Sequence, residues 1–157
     1  VIFGAGGPTG SGGIKRAAVG ISVPFIAFNA DNLADFDFHG LAAHAEKKNG
    51  NVLVSKKVTD AKDYSALQIN RGSRVQLFLE RPHGAERGFV SAGCYVLRPE
   101  IFTDMPERFS IEKDLFPKLA AAGGLYSFPH RGKYWFDCGT EERLTEVREF
   151  FAKKKSK

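Results

Sequence analysis

VPFIAFNADN, residues 23–32, is apolar as far as Phe28 and then turns polar, closing on Asp31. A run of this kind reads as a strand buried on both faces of an α/β sheet, since such a strand needs apolar side chains on both sides. An acid just past its end lies at the carboxyl edge of the sheet, where open α/β folds bind ligands. A second stretch has the same form: KYWFDCGT, residues 133–140, is apolar through Phe136 and closes on Asp137. Each Asp alone is a common strand-end turn or helix cap. Two at one edge could hold a divalent cation against a phosphate, so Asp31 and Asp137 are expected to share a site.

The flanking sequence fits such a sheet. Residues 1–3 read as a short strand entering the glycine-rich loop of residues 4–13, with a helical turn over 14–19. Residues 38–48 form an amphipathic pattern stopped by Asn49-Gly50, which predicts a helix with a left-handed end. Residues 52–58 read as a strand. Residues 64–69 and 74–79 make a hairpin around Asn70-Arg71-Gly72-Ser73. GFVSAGCYVL, residues 88–97, is another buried strand. Ser110 opens a helix with Leu115, Leu119 and Ala122 on its apolar face, but Lys113 stands where a capping box needs an acid. Strands over 125–128 and 134–136 precede a last helix capped by Thr140, with Leu144, Val147 and Phe151 on one stripe. The expected fold is a Rossmann-like α/β domain over residues 1–157, with a mixed sheet, flanking helices and an inserted β-hairpin.

Composition narrows the function. The chain has 157 residues, 43% hydrophobic and 26% charged, which are globular values. No stretch approaches the roughly 18 apolar residues of a membrane span, and no basic-then-apolar leader is visible. Cys94 and Cys138 stand in apolar runs outside any CxxC, so buried free thiols in a cytoplasmic protein are expected. The net charge of +5 comes in part from the basic tail of residues 153–157, and Lys and Arg are otherwise dispersed. That excludes a basic stripe for nucleic acid and suits a small anionic substrate. The glycine-rich segment could cradle a phosphate. Gly4, Gly7 and Gly10 also have the spacing of a dinucleotide-binding turn, with Asp31 after the next strand. No Walker Lys-Ser/Thr follows, and Tyr64 begins no Tyr-x-x-x-Lys pair.

Taken in order, these segments resemble the sugar-1-phosphate nucleotidylyltransferases, and within them the heptose- or mannose-1-phosphate guanylyltransferases. Gly10-Ser11-Gly12-Gly13 is similar to the family's nucleotide-contacting loop, and Phe28-Asn29-Ala30-Asp31 to its strand ending in Asn-Gly-Asp. Phe78-Leu79-Glu80-Arg81-Pro82 resembles its Glu-Lys-Pro strand, and Ser91-Ala92-Gly93 its Asn-Ala-Gly strand. Phe109-Ser110-Ile111-Glu112-Lys113-Asp114 resembles Phe-Ser-x-Glu-x-Asp, and Trp135-Phe136-Asp137-Cys138-Gly139-Thr140 resembles Trp-x-Asp-x-Gly-Thr.

The resemblance implies transfer of a nucleotidyl group from an NTP, with GTP favoured, to a sugar 1-phosphate, releasing pyrophosphate. It implies Mg²⁺ on Asp31 and Asp137, a nucleotide side at Gly10, Ser11, Gly12, Gly13 and Asn29, and a sugar side at Glu80, Arg81, Ser91 and Gly93. It is compatible with a homo-oligomer. Arg81 stands for the family's Lys and Ser91 for its Asn. The family's opening Gly-x-Gly-Thr-Arg loop and Pro-Lys-Pro, which grip the triphosphate, have no counterpart here, so slow turnover is expected of this chain alone. Two other readings stay open. One is a non-catalytic remnant that binds a nucleotide-sugar or a partner. The other is an NAD(P)-dependent oxidoreductase using the turn at Gly4 to Gly10.

Overall fold

The computed structural model describes residues 2–4, 12–80 and 87–155. One long strand organises them. It is β7, Gly88–Leu97, and eight others are named around it in chain order: β1 Ile2–Gly4, β2 Phe25–Asn29, β3 Asn32–Ala34, β4 Asn51–Val58, β5 Ala66–Ile69, β6 Val75–Leu79, β8 Leu125–Pro129 and β9 Trp135–Asp137. The main sheet runs β1-β2-β7-β4-β8, with β5 and β6 joined to the first half of β7. β1 lies parallel to β2 and β4 parallel to β8, while β7 runs antiparallel to β2, β4 and β5.

The side chains of β7 alternate between two cores, as the period-2 geometry of a strand requires. Tyr95 and Leu97 join Leu53, Phe78, Phe102 and Phe116 on one face. Cys94 and Val96 join Leu41, Ala45, Val52 and Val54 on the other. The first face is covered by helices α1 (Gly12–Ala17) and α3 (Phe116–Ala121), the second by α2 (Phe38–Lys48). The result is a sheet between two helical layers.

Local signals behave largely as the sequence predicts. Asp37 caps α2 through the amide of Gly40, and Asn49 ends it with φ 47°. Asn70 Oδ1 accepts from the amides of Gly72 (2.9 Å) and Arg74 (3.0 Å), closing the β5–β6 hairpin. Thr140 Oγ1 accepts from the amide of Arg143 at 3.3 Å, ahead of helix α4, Glu141–Lys155.

Three features depart from the reading. Ser110 does cap, accepting from Lys113 N at 3.1 Å, but Ile111–Leu115 forms a π-helical turn before α3 begins. Its extra residue moves the reciprocal acid one place on, so Asp114 Oδ2 accepts from Ser110 N at 2.6 Å. The capping box is complete in a displaced form. β3, too short to show alternation, pairs antiparallel with β9 as a separate two-stranded ribbon. β7 is bulged: on its partner β4 the register passes from Leu53 opposite Tyr95 to Ser55 opposite Ser91.

Gly93 lies in that bulge with φ +75°. An added Cβ would collide with Asn32 Oδ1 and lie 3.0 Å from Asn29 Nδ2. Gly93→Ala is expected to destabilise the fold by about 2 kcal/mol or more, as left-handed strain and the clash add. Gly88→Ala, where a Cβ meets nothing within 4 Å, is expected to stay within about 0.5 kcal/mol of the starting protein. Urea denaturation of both variants checks the pair, and equal losses would refute the role given to the bulge.

Candidate active site

The carboxyl ends of β2 and β9 and the bulge of β7 meet around one polar cleft, enclosing about 470 Å³ including its open mouth. Asn29, Asp31 and Asn32 line it from the β2–β3 turn, Ser91 and Gly93 from β7, and Trp135 and Asp137 from β9. Asp63, Tyr64 and Ser65 enter from the segment before β5, and Glu112 enters from the π turn.

The β3–β9 ribbon sets the two aspartates side by side. Asn32 is the register partner of Asp137, and the amide of Cys138 donates to the carbonyl of Asp31 at 2.7 Å. A Cβ on Gly139 would lie 3.0 Å from Asp137 Oδ1 and 3.7 Å from Asp31 Oδ2, so these two oxygens face one small volume. Asp137 Oδ1 accepts from the amide of Gly139 at 2.9 Å, and its Oδ2 accepts from Arg143 Nη1 at 2.8 Å. The thiol of Cys138 is pushed up by burial first, and then by the charges of Asp137 and Asp31. Cys138 is half-buried just past β9, whereas Cys94 is fully buried in β7 with its thiol pushed up to about 12.

Two buried hydroxyls lie close together here, Ser91 in the lining and Tyr95 in the core behind it. Ser91 Oγ and the Tyr95 hydroxyl are buried and make no hydrogen bond of normal geometry among the described residues. Burial pushes the Tyr95 hydroxyl well above its ordinary range, and the charge of Glu112 adds to this. Buried hydroxyls without partners are costly unless a ligand or water completes them. Ser65 Oγ donates to Glu112 Oε2 at 2.9 Å. One wall is aromatic: the Tyr64 ring lies 5.3 Å from that of Trp135, whose Nε1 donates to the carbonyl of Ala92 at 3.0 Å.

The candidate residues named from sequence divide into three groups. Asp31, Asp137, Asn29, Ser91 and Gly93 line the cleft. Glu80 follows β6 with its carboxylate 3.5 Å from Lys113 Nζ, and Gly12 and Gly13 open α1; none of the three belongs to the lining. Gly10, Ser11 and Arg81 lie outside the described residues, as does most of the proposed dinucleotide turn.

Five further residues line the cleft, Asp63, Tyr64, Ser65, Glu112 and Trp135, and none of them is among the site residues expected from the sequence. A signal existed for Glu112 and Trp135, since both stand inside quoted motifs. Asp63 and Tyr64 reach the cleft only because β5 pairs with β7.

Among the described residues no group of three His, Cys, Asp or Glu side chains could enclose a metal. Two carboxylate oxygens facing one volume instead suit a hard cation that keeps water and takes its remaining ligands from substrate phosphates, as Mg²⁺ does.

Comparison with known proteins bears on the family and the fold. Residues 13–154 match the family model described as nucleotidyl transferase. A mannose-1-phosphate guanyltransferase from Yarrowia lipolytica is 34% identical over 139 residues, covering 84% of this chain and 38% of that protein. One from Aspergillus fumigatus is 33% identical over 121 residues, 74% of this chain and 33% of its own length. The chain therefore spans about a third of the length of these relatives. The crystal structure of HddC from Yersinia pseudotuberculosis superposes with a TM-score of 0.77 at 27% identity, over 93% of this chain and 64% of that one. A putative glucose-1-phosphate thymidylyltransferase from Bacillus anthracis, at 16% identity and a TM-score of 0.79 over 93% and 61%, shares the fold. The oxidoreductase and the non-catalytic remnant are not favoured by these matches. Matched over nearly its whole length, this chain belongs to the nucleotidyl transferase family.

Proposed function

We propose that this protein serves nucleotidyl transfer from an NTP to a sugar 1-phosphate. A phosphate oxygen of the sugar phosphate would attack the α-phosphorus, the bond to the β-phosphate would break, and pyrophosphate would leave. The observation that carries this reading is that the β3–β9 ribbon brings Asp31 and Asp137 to one carboxyl edge, over a polar cleft lined by Asn29, Ser91 and Gly93. Mg²⁺, held by Asp31 and Asp137, would neutralise the phosphates and draw them into line. Ser91 and the backbone at Gly93 would meet sugar hydroxyls, with Glu80 and Arg81 on the same side. Gly10 to Gly13 and Asn29 would meet the nucleotide.

The relatives' names, and a complex of HddC with GMP-PN, support a guanine nucleotide and a mannose-type sugar, while a heptose rests on the sequence resemblance alone. The free thiols Cys94 and Cys138 suit a reducing compartment, which supports a cytoplasmic setting.

Calorimetric titration with four NTPs and a panel of hexose and heptose 1-phosphates, with and without Mg²⁺, tests the reading, alongside a pyrophosphate-release assay. Mg²⁺-dependent binding with GTP ahead of the other NTPs is expected. No Mg²⁺-dependent binding of any NTP or sugar phosphate at millimolar concentration would overturn it.

Asp31→Asn and Asp137→Asn keep side-chain size and remove one metal charge each. Each is expected to weaken Mn²⁺ binding, read by electron paramagnetic resonance, by about tenfold or more, in line with the roughly 1.5–3 kcal/mol of a charge-assisted contact. Unchanged Mn²⁺ affinity in both variants would remove the metal from this site.

Glu80→Gln is expected to weaken sugar-phosphate binding by about 1.5–3 kcal/mol and leave GTP binding nearly untouched. Equal losses for both ligands would mean a general defect of the hairpin rather than a sugar contact.

A further inference from the structure

The cleft is acidic where the proposed substrate is most anionic. Among the described residues lining it, Asp31, Asp63, Glu112 and Asp137 carry carboxylates and none carries a cation. A phosphate monoester adds about −1.5 to −2 charges at pH 7. One divalent cation cannot offset both the acids and the phosphate, so another positive group is needed close by.

Arg143 stands at the rim. Its Nη1 donates to Asp137 Oδ2 at 2.8 Å and its Nη2 to Asp63 Oδ2 at 3.1 Å, and both acids line the cleft. Its Cζ lies 5.4 Å from the centre of the Tyr64 ring, which is itself packed on Trp135. The Thr140 cap fixes Arg143 in the first turn of α4, so the backbone that carries it is set by the same segment that carries Asp137. The side chain remains 28% exposed.

These contacts orient the guanidinium without exhausting it. Arg offers five N–H donors, and the described contacts with Asp137 and Asp63 use two. Asp137 presents Oδ2 to Arg143 and Oδ1 to the volume it shares with Asp31. A cation bound from the Oδ1 side therefore need not displace Arg143. It would draw charge from Asp137 and loosen that carboxylate's hold on the guanidinium. The planar fork is the shape that grips a phosphate through two parallel hydrogen bonds, and the Tyr64 face would keep it in plane.

Building on the proposed nucleotidyl transfer, we propose that Arg143 is the phosphate anchor of the sugar 1-phosphate. Asp137, Asp63 and Tyr64 hold it ready, and it turns its free N–H edge to the phosphoryl group when a divalent cation occupies the Asp31–Asp137 site.

The test uses the 157-residue chain, Arg143→Gln and Arg143→Lys. Binding of mannose 1-phosphate in saturating Mg²⁺ is measured by calorimetry, and Mn²⁺ binding without ligand by electron paramagnetic resonance. Arg143→Gln is expected to weaken mannose 1-phosphate binding by about tenfold or more, the loss of a charged bidentate contact. Arg143→Lys keeps the charge without the fork, and a smaller loss is expected. Mn²⁺ affinity is expected to stay within about twofold in both, a range too small for loss of a direct ligand.

Unchanged mannose 1-phosphate binding in Arg143→Gln would overturn the proposal and leave the nucleotidyl transfer reading standing. So would equal losses of mannose 1-phosphate and Mn²⁺, which would mean that Arg143 only orients Asp137. If the parent chain binds GTP but no sugar phosphate, the anchor role falls alone; if it binds neither, the reading of the site falls with it. Should Arg143→Gln fail to fold by thermal denaturation, Arg143→Lys carries the comparison, and sugar-phosphate binding equal to the parent's would then overturn the proposal.

Discussion

Three residue pairs, Asn32 with Asp137, Leu33 with Phe136 and Ala34 with Trp135, join the β2 edge of the cleft to its β9 edge. A two-stranded ribbon of this length is not stable in water by itself. It persists because its surroundings fix both strands. Asp35 accepts from the amides of Lys133 (2.7 Å) and Tyr134 (3.2 Å), and these bonds hold its carboxyl below the usual range. Trp135 is tied to β7 through the Ala92 carbonyl. On the other side Tyr134 and Phe136 pack against Phe150 and Phe151 of α4, with ring centres 5.1 to 6.5 Å apart. The last helix therefore acts on the site at a distance: its aromatic face clamps β9, and β9 carries Asp137.

The bulge in β7 is the second constraint, and it depends on the first. Before the bulge β7 pairs with β5, and after it with β2. One strand thus serves two neighbours in succession, and a cleft opens where the partner changes. The space is kept by Gly93, against which the side chains of Asn29 and Asn32 pack. Bulges are common beside functional sites because they re-aim side chains without ending a strand. Here Ser91 and Gly93 face the cleft while Cys94 and Val96 return to the core.

Most of this fold is legible in the sequence, because its long elements carry strong periodic signals. The bounds of α2 and β7 follow from the Asn49-Gly50 stop and from an uninterrupted apolar run. What could not be read is shorter than a period. β3 has three residues, and the π turn differs from a helix start by one. Asp31 and Asp137 could be picked out because each closes an apolar run. Asp63 and Arg143 could not, since nothing local distinguishes a solvated charge from one that spans a cleft. Glu80 illustrates the converse: a motif match names it, yet its carboxylate turns to Lys113 rather than into the lining.

An acidic cleft is an unexpected home for the proposed phosphorylated substrate until its charges are followed through space. Carboxylates that face one another repel, and nearby cations relieve that repulsion. Arg143 already answers for Asp137 and Asp63. Asp31 has no comparable side-chain partner among the described ion pairs, and its Oδ2 lies beside Gly139, as Asp137 Oδ1 does. The one guanidinium offsets only part of this charge, and under the proposed function a divalent cation would offset more of it. Binding of anion and cation would be cooperative for an electrostatic reason, since each lowers the cost of placing the other among four carboxylates. Under the proposed function a neutral sugar would bring no cation for Asp31 and would bind less well. Selectivity for a phosphorylated ligand would then reside in the acids as much as in the one guanidinium.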